Sequence, residues 1–146
     1  MKKIIFTLPA FVLFMLFGFS PDINSEWVTD NTVDGIEFSS KKVHCTFENS
    51  EEVHEYVLHT VTNNNSYPVS VEWKKDIWYN DVCRTCNLDA PSGYEFLLTL
   101  QAGEKISGSC NDEGYMLKTF SQRINPKSDN KLTRYEFNDI KVNKIE

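Results

Sequence analysis

Residues 94–106 read Tyr94-Glu95-Phe96-Leu97-Leu98-Thr99-Leu100-Gln101-Ala102-Gly103-Glu104-Lys105-Ile106. Tyr94, Phe96, Leu98 and Leu100 fall on one side of an extended chain, because successive side chains of a strand point to opposite faces. The same period of two recurs at Val43, Cys45 and Phe47 and at Val69, Val71 and Trp73, while no helical period of useful length appears after residue 20. Further strand candidates are Ile36 with Phe38, Val53 to Thr62, Lys105 to Cys110, Tyr115 to Phe120 and Leu132 to Val142. In the last of these, Tyr135 and Phe137 share one parity and Ile140 and Val142 the other, so a bulge near Asn138-Asp139 is expected to bring all four to one face. Short strands at this spacing, with no helices to serve as crossovers, predict an all-β fold: an antiparallel β-sandwich of about 7–8 strands. Asn63-Asn64-Asn65-Ser66 and Ala102-Gly103-Glu104 are both expected to turn hairpins.

The chain has 146 residues, four cysteines and a net charge of -6, within the range of one domain. Met1-Lys2-Lys3 followed by the apolar run Ile4 to Phe19 has the anatomy of a secretory signal peptide, expected to occupy residues 1–20. The run is short for a membrane span and is interrupted by Pro9. Residues 21–34 show no clear pattern and are expected to form an extended N-terminal arm, leaving 35–146 as the sandwich domain. The leader holds Lys2 and Lys3 and no acid. Without it, 13 Lys and Arg stand against 21 Asp and Glu, a charge of -8. Such a chain is repelled by phosphate backbones and anionic lipid, so no nucleic acid and, once the leader is removed, no membrane is expected as partner. The expected location is the periplasmic or extracellular space.

Trp73 on a central candidate strand, the strand count, and the Leu-x-Ala-Gly-Glu-x-Ile turn from Leu100 to Ile106 resemble an immunoglobulin-like or fibronectin-type sandwich. The chain after its leader is also similar to small exported bacterial proteins of no assigned activity. The spacing from Cys45 to Trp73 is longer than the antibody pattern has it, and neither resemblance carries functional residues over.

Four cysteines in an exported chain predict two disulfides. In the first reading, one of Cys83 and Cys86 bonds Cys45 and the other bonds Cys110, with all four sulfurs gathered at one end of the sandwich. In the second, Cys83 bridges Cys86 locally and Cys45 joins Cys110 across the sandwich. Cys83-Arg84-Thr85-Cys86 has the spacing of a redox dithiol, but a loop follows it where such motifs usually open a helix. His54 and His59 are five apart, one too many for chelation from one helix face, and each is expected to be a partly exposed strand histidine. No catalytic residue, metal ligand or cofactor is assigned. Trp78 and Tyr79, adjacent aromatics at a strand end, face opposite ways, so one of them is a candidate platform for a sugar or a protein. The expected function is a non-enzymatic binding or interaction module for an unknown protein or glycan. The alternatives are a metal- or thiol-dependent activity at the cysteines and a structural role in the envelope.

Overall fold

The computed structural model describes residues 26–88 and 93–146; the leader and residues 21–25 lie outside them. Nine strands follow in order: β1 Val28–Val33, β2 Ile36–Thr46, β3 Val53–Asn63, β4 Val69–Tyr79, β5 Val82–Cys83, β6 Glu95–Leu100, β7 Lys105–Ser107, β8 Lys118–Asn125 and β9 Leu132–Lys144. Every pairing is antiparallel. In the first sheet β1, β2 and β3 lie side by side, with β7 and β8 placed end to end along the far edge of β3. In the second, β4 is central: β9 covers one edge along its whole length, and β6 and β5 share the other.

The sheets meet across a core built by strand alternation. Ile36, Phe38 and Val61 of the first sheet pack against Val69, Val71, Trp73, Leu100 and Phe137 of the second. Phe38 stacks on Phe137 at 4.9 Å and meets Trp73 edge-on at 5.5 Å. The bulge near Asn138-Asp139 is present. Glu72 pairs with Lys141 and Lys74 with Asn138, so Asp139 and Ile140 together oppose Trp73. Asp139 takes the extra step in the left-handed region, at φ 52°. Tyr135, Phe137, Ile140 and Val142 all reach the core as a result.

Three expectations are corrected. First, residues 28–33 are not an arm but the edge strand β1, closed onto β2 by Asp34-Gly35 at φ 48° and 77°. Such a two-residue turn twists with the strands it joins, and Asp-Gly is its usual sequence. Gly35 has no room for a side chain: a Cβ there would lie 2.5 Å from Asn65 Oδ1. β1 escaped notice because it is an edge strand, mostly exposed, with Thr29 to Thr32 all polar. Its Asp30 accepts hydrogen bonds from Ser40 and from Tyr135 of β9, which closes that side of the sandwich.

Second, neither expected hairpin is one. The segments after β3 and after β6 each cross from one sheet to the other, because β3 and β7 belong to the first sheet and β4 and β6 to the second. Buried Asn63 organises both corners. Its amide donates to the carbonyls of Tyr67 and Gln101, its side-chain oxygen accepts the Asn65 N–H, and its own N–H donates to Glu104 O. Alternation is the same on both sides of a hairpin and of a crossover, so it does not distinguish them.

Third, the disulfides follow the second reading: Cys45–Cys110 and Cys83–Cys86. The first failed because it assumed β3 and β4 were paired. Both bridges lie toward the end remote from the residue 64–68 crossover, but on the outer faces of opposite sheets. Nor does Cys45–Cys110 span the sandwich; it ties the segment between β7 and β8 onto the outer face of the first sheet, beside Val43 and Leu58.

The bulge yields a prediction. Asp139→Gly, which removes the strain of φ 52°, is expected to leave the fold intact and raise stability by roughly 0.5–1 kcal/mol in urea denaturation. Deleting Asp139 should turn Ile140 and Val142 outward and abolish the cooperative transition.

Candidate functional site

Along the side of the sandwich opposite Asp30, the free edge of β8 faces the β5 and β6 edge of the second sheet. Lys75 joins the two. It shares the inward parity of Val69, Val71, Trp73 and Ile77 on β4 and is fully buried. Its ammonium donates to the carbonyls of Tyr115, Met116 (3.1 Å) and Lys118 (3.4 Å) and to Thr119 Oγ1 (3.1 Å). The same Thr119 hydroxyl lies 2.7 Å from Nε2 of His59, which sits edge-on to Tyr135 and Phe137. His59 is therefore wholly buried, unlike the partly exposed strand histidine expected of it. Its backbone also receives both strand ends, donating to Leu117 O and accepting from the Gly108 N–H. Gly108 runs so close to Leu117 that a Cβ would lie 2.0 Å from its carbonyl oxygen.

Segment 108–117 is thus held at two points, by the Cys45–Cys110 bridge and by Lys75. The bridge closes a separation of 65 residues, for which chain entropy alone supplies up to about 4 kcal/mol. What the segment presents is Tyr115, 58% exposed, its ring stacked on Tyr94 at 5.8 Å with the planes 23° apart.

Around Tyr115 lies a groove of about 630 Å³. Its aromatic wall is Tyr56 and Phe120 of the first sheet, Tyr79 at the end of β4, and the Tyr94–Tyr115 pair. Tyr79 donates its hydroxyl to Phe120 O at 2.6 Å. Burial pushes this phenol up to about 12 and raises those of Tyr56 and Tyr94 as well, so all three are neutral donors near pH 7. Lys118 and exposed Arg123 border the groove, and among the described residues none of its lining is acidic. Lys118 Nζ stands 5.2 Å over the Tyr56 ring, fixed by the carbonyls of Cys110 and Asp112. A second groove of about 640 Å³ crosses β4 between β6 and β9, but Glu72, Glu95 and Asp139 lie in it beside Lys74 and Lys141.

Of the residues singled out from sequence, Tyr79 enters the first groove and Trp78 does not. Trp78 faces the other side of β4, with the Arg134 guanidinium 3.9 Å over its ring. The remaining aromatic and basic residues of the groove were missed, because they come from four separate elements and no local spacing joins them. Cys83 and Cys86, beside buried Asp76, form a set with ligand atoms within 4.8 Å of one another. With the two sulfurs joined, that set offers one carboxylate and no thiolate. His44 and His54 pair instead with Glu55 (3.6 Å) and Glu52 (2.9 Å).

Burial of Lys75 sets a pH dependence. Desolvation lowers its ammonium from 10.5 to about 7, and burial with Lys75 nearby holds His59 well below 6.5. Between those two Lys75 values the unfolded chain binds a proton that the folded chain lacks, so stability rises with pH from about 7 toward 10.5. Below about 6.5 His59 adds a loss in the same direction. Above 10, Tyr79 and Tyr135, both raised to about 12, reverse the slope, since the unfolded phenols ionise first. Urea denaturation should therefore show maximum stability near pH 10. Lys75→Met should flatten the rise from pH 7, worth up to roughly 4 kcal/mol, while lowering stability at pH 10 by leaving carbonyls unpaired.

No protein family, curated protein or solved structure matches this chain.

Proposed function

We propose that the chain is an exported, non-enzymatic binding module of immunoglobulin-like type, and that its tyrosine-lined groove takes an anionic glycan. The groove carries the reading: five aromatic rings with two cations and, among the described residues, no acid, on a molecule whose net charge is -6. Sugar rings present C–H faces that lie against aromatic rings, and neutral phenols donate hydrogen bonds to their hydroxyls. Lys118 and Arg123 favour a carboxylate or sulfate on the sugar, whereas the mixed charges of the second groove select neither sign.

Export is supported by Met1-Lys2-Lys3 with its apolar run and by two disulfides, which persist in oxidising compartments. The immunoglobulin-like assignment is supported by Trp73, buried on the central strand of its sheet against Phe38 of the facing one. A protein ligand is the second candidate class.

Calorimetric titration with oligogalacturonate and with a neutral cello-oligosaccharide of equal length provides that test. The acidic sugar is expected to bind more tightly, and its affinity to fall as salt rises. Tyr115→Ala should weaken binding about tenfold, the order of one aromatic contact. This substitution spares the backbone carbonyl that Lys75 uses. Arg123→Ala should reduce the preference for the acidic sugar. Absence of binding to either sugar, or binding that Tyr115→Ala leaves unchanged, overturns the proposal.

A further inference from the structure

The two disulfides differ in the features that govern reactivity. In the Cys45–Cys110 bridge one sulfur is shielded, Cys45 being 1% exposed and packed among Val43, Leu58, Phe47 and Trp27, while Cys110 is partly exposed. Cys83 and Cys86 are both partly exposed, on the outer face of the second sheet. Their loop is nonetheless rigidly seated. Thr85, fully buried between them, accepts the Ile77 N–H at 2.9 Å, and its hydroxyl lies 3.2 Å from Lys75 O and 3.3 Å from Asp76 Oδ1. The Arg84 N–H donates to Ile77 O at 2.8 Å.

Two groups address the sulfurs. The Cys86 N–H donates to Cys83 Sγ at 3.0 Å, an arrangement that stabilises negative charge on Cys83. Asp76 brings a carboxylate oxygen within 4.8 Å of both sulfurs. It is held in place by Asn138 Nδ2 at 2.8 Å and by Lys74 Nζ at 3.4 Å. In thiol–disulfide exchange the sulfur whose thiolate is better stabilised leaves faster, and access decides which bond is attacked. The helix that usually supplies such stabilisation is absent at this motif, and the loop's own N–H takes its place.

We propose that Cys83–Cys86 is a thiol–disulfide exchange site that oxidises a dithiol of a partner protein, independently of the groove. A partner thiolate attacks Cys86 Sγ, the Cys83–Cys86 bond breaks, and Cys83 departs as a thiolate stabilised by the Cys86 N–H. The partner's second thiolate then attacks the partner sulfur of the mixed disulfide and releases Cys86. The partner loses two electrons and two protons and becomes a disulfide, while Cys83 and Cys86 gain both and become thiols. Before each attack Asp76 takes the proton of the partner thiol, which thereby becomes the attacking thiolate, and afterwards returns it to the Cys83 or Cys86 thiolate that has been released.

The test equilibrates the full chain in buffers of graded reduced and oxidised glutathione, followed by maleimide quenching and peptide mass spectrometry. Cys83–Cys86 is expected to open, with the fold intact by circular dichroism, at a reduced-to-oxidised ratio roughly 100-fold lower than Cys45–Cys110 requires. Asp76→Asn, which keeps size and shape but turns an amide NH2 toward a donor, should slow oxidation of a dithiol peptide at least tenfold at temperatures where circular dichroism shows the variant folded. Opening of both bridges at one ratio, or of Cys83–Cys86 only where the fold is lost, overturns the exchange site. An unchanged rate in Asp76→Asn overturns the proton-transfer role of that residue.

Discussion

The buried amino group of Lys75 is the point on which the two sheets and the groove all depend. Taking its charge out of water is costly, which lowers its ammonium to about 7, and its N–H groups are met by backbone carbonyls of Tyr115, Met116 and Lys118 and by Thr119. Those acceptors belong to the segment entering β8, while Lys75 belongs to β4. The interaction therefore fixes the edge of one sheet against the centre of the other. Apolar packing is non-directional; four directed donor–acceptor contacts also fix register, and through it the position of Tyr115.

This dependence explains why the polar residues of the interior form a connected seam. Thr119 serves both Lys75 and His59, and Ser121 donates to Glu55 at 2.6 Å. Ile36, Phe38, Val69, Val71 and Trp73 fill the other part of the interior with apolar packing, bounded by buried Asn63 at the two crossover corners. One part supplies most of the hydrophobic stabilisation, and the other specifies which strand edges meet. A seam of this kind makes the fold sensitive to pH without any surface charge taking part.

Much of the strand layout was legible because alternation is a local property. The runs around Val43, Val69 and Phe96 each became a strand, and the parity break between Phe137 and Ile140 located the Asp139 bulge. Sheet assignment was not legible, since Asn63 to Ser66 reads alike whether the chain folds back or crosses over. That error propagated into the first cysteine pairing, which needed β3 beside β4. Two signals were present and unused: Asp34-Gly35, the preferred sequence of a two-residue hairpin, and Lys75 at a position whose parity points inward.

The groove was less legible still, for a physical reason. Tyr56, Tyr79, Tyr94, Tyr115 and Phe120 are dispersed over 65 positions of chain and gathered only by the packing of the sheet edges, so no window of sequence contains them. Charge asymmetry offered a partial hint: Lys118 to Glu146 is the basic-leaning stretch, and it contains both groove cations. Complementary pairing between neighbouring strands accounts for part of that asymmetry, as in the Glu72–Lys141 register of β4 and β9. It does not account for Lys118 and Arg123. Among the described strands theirs, β8, pairs with β3 alone, and its other edge carries no strand beside the aromatic rings. Basic residues on a free edge also discourage edge-to-edge association with a second copy, so the same two cations that favour an anionic ligand protect the site that would bind it.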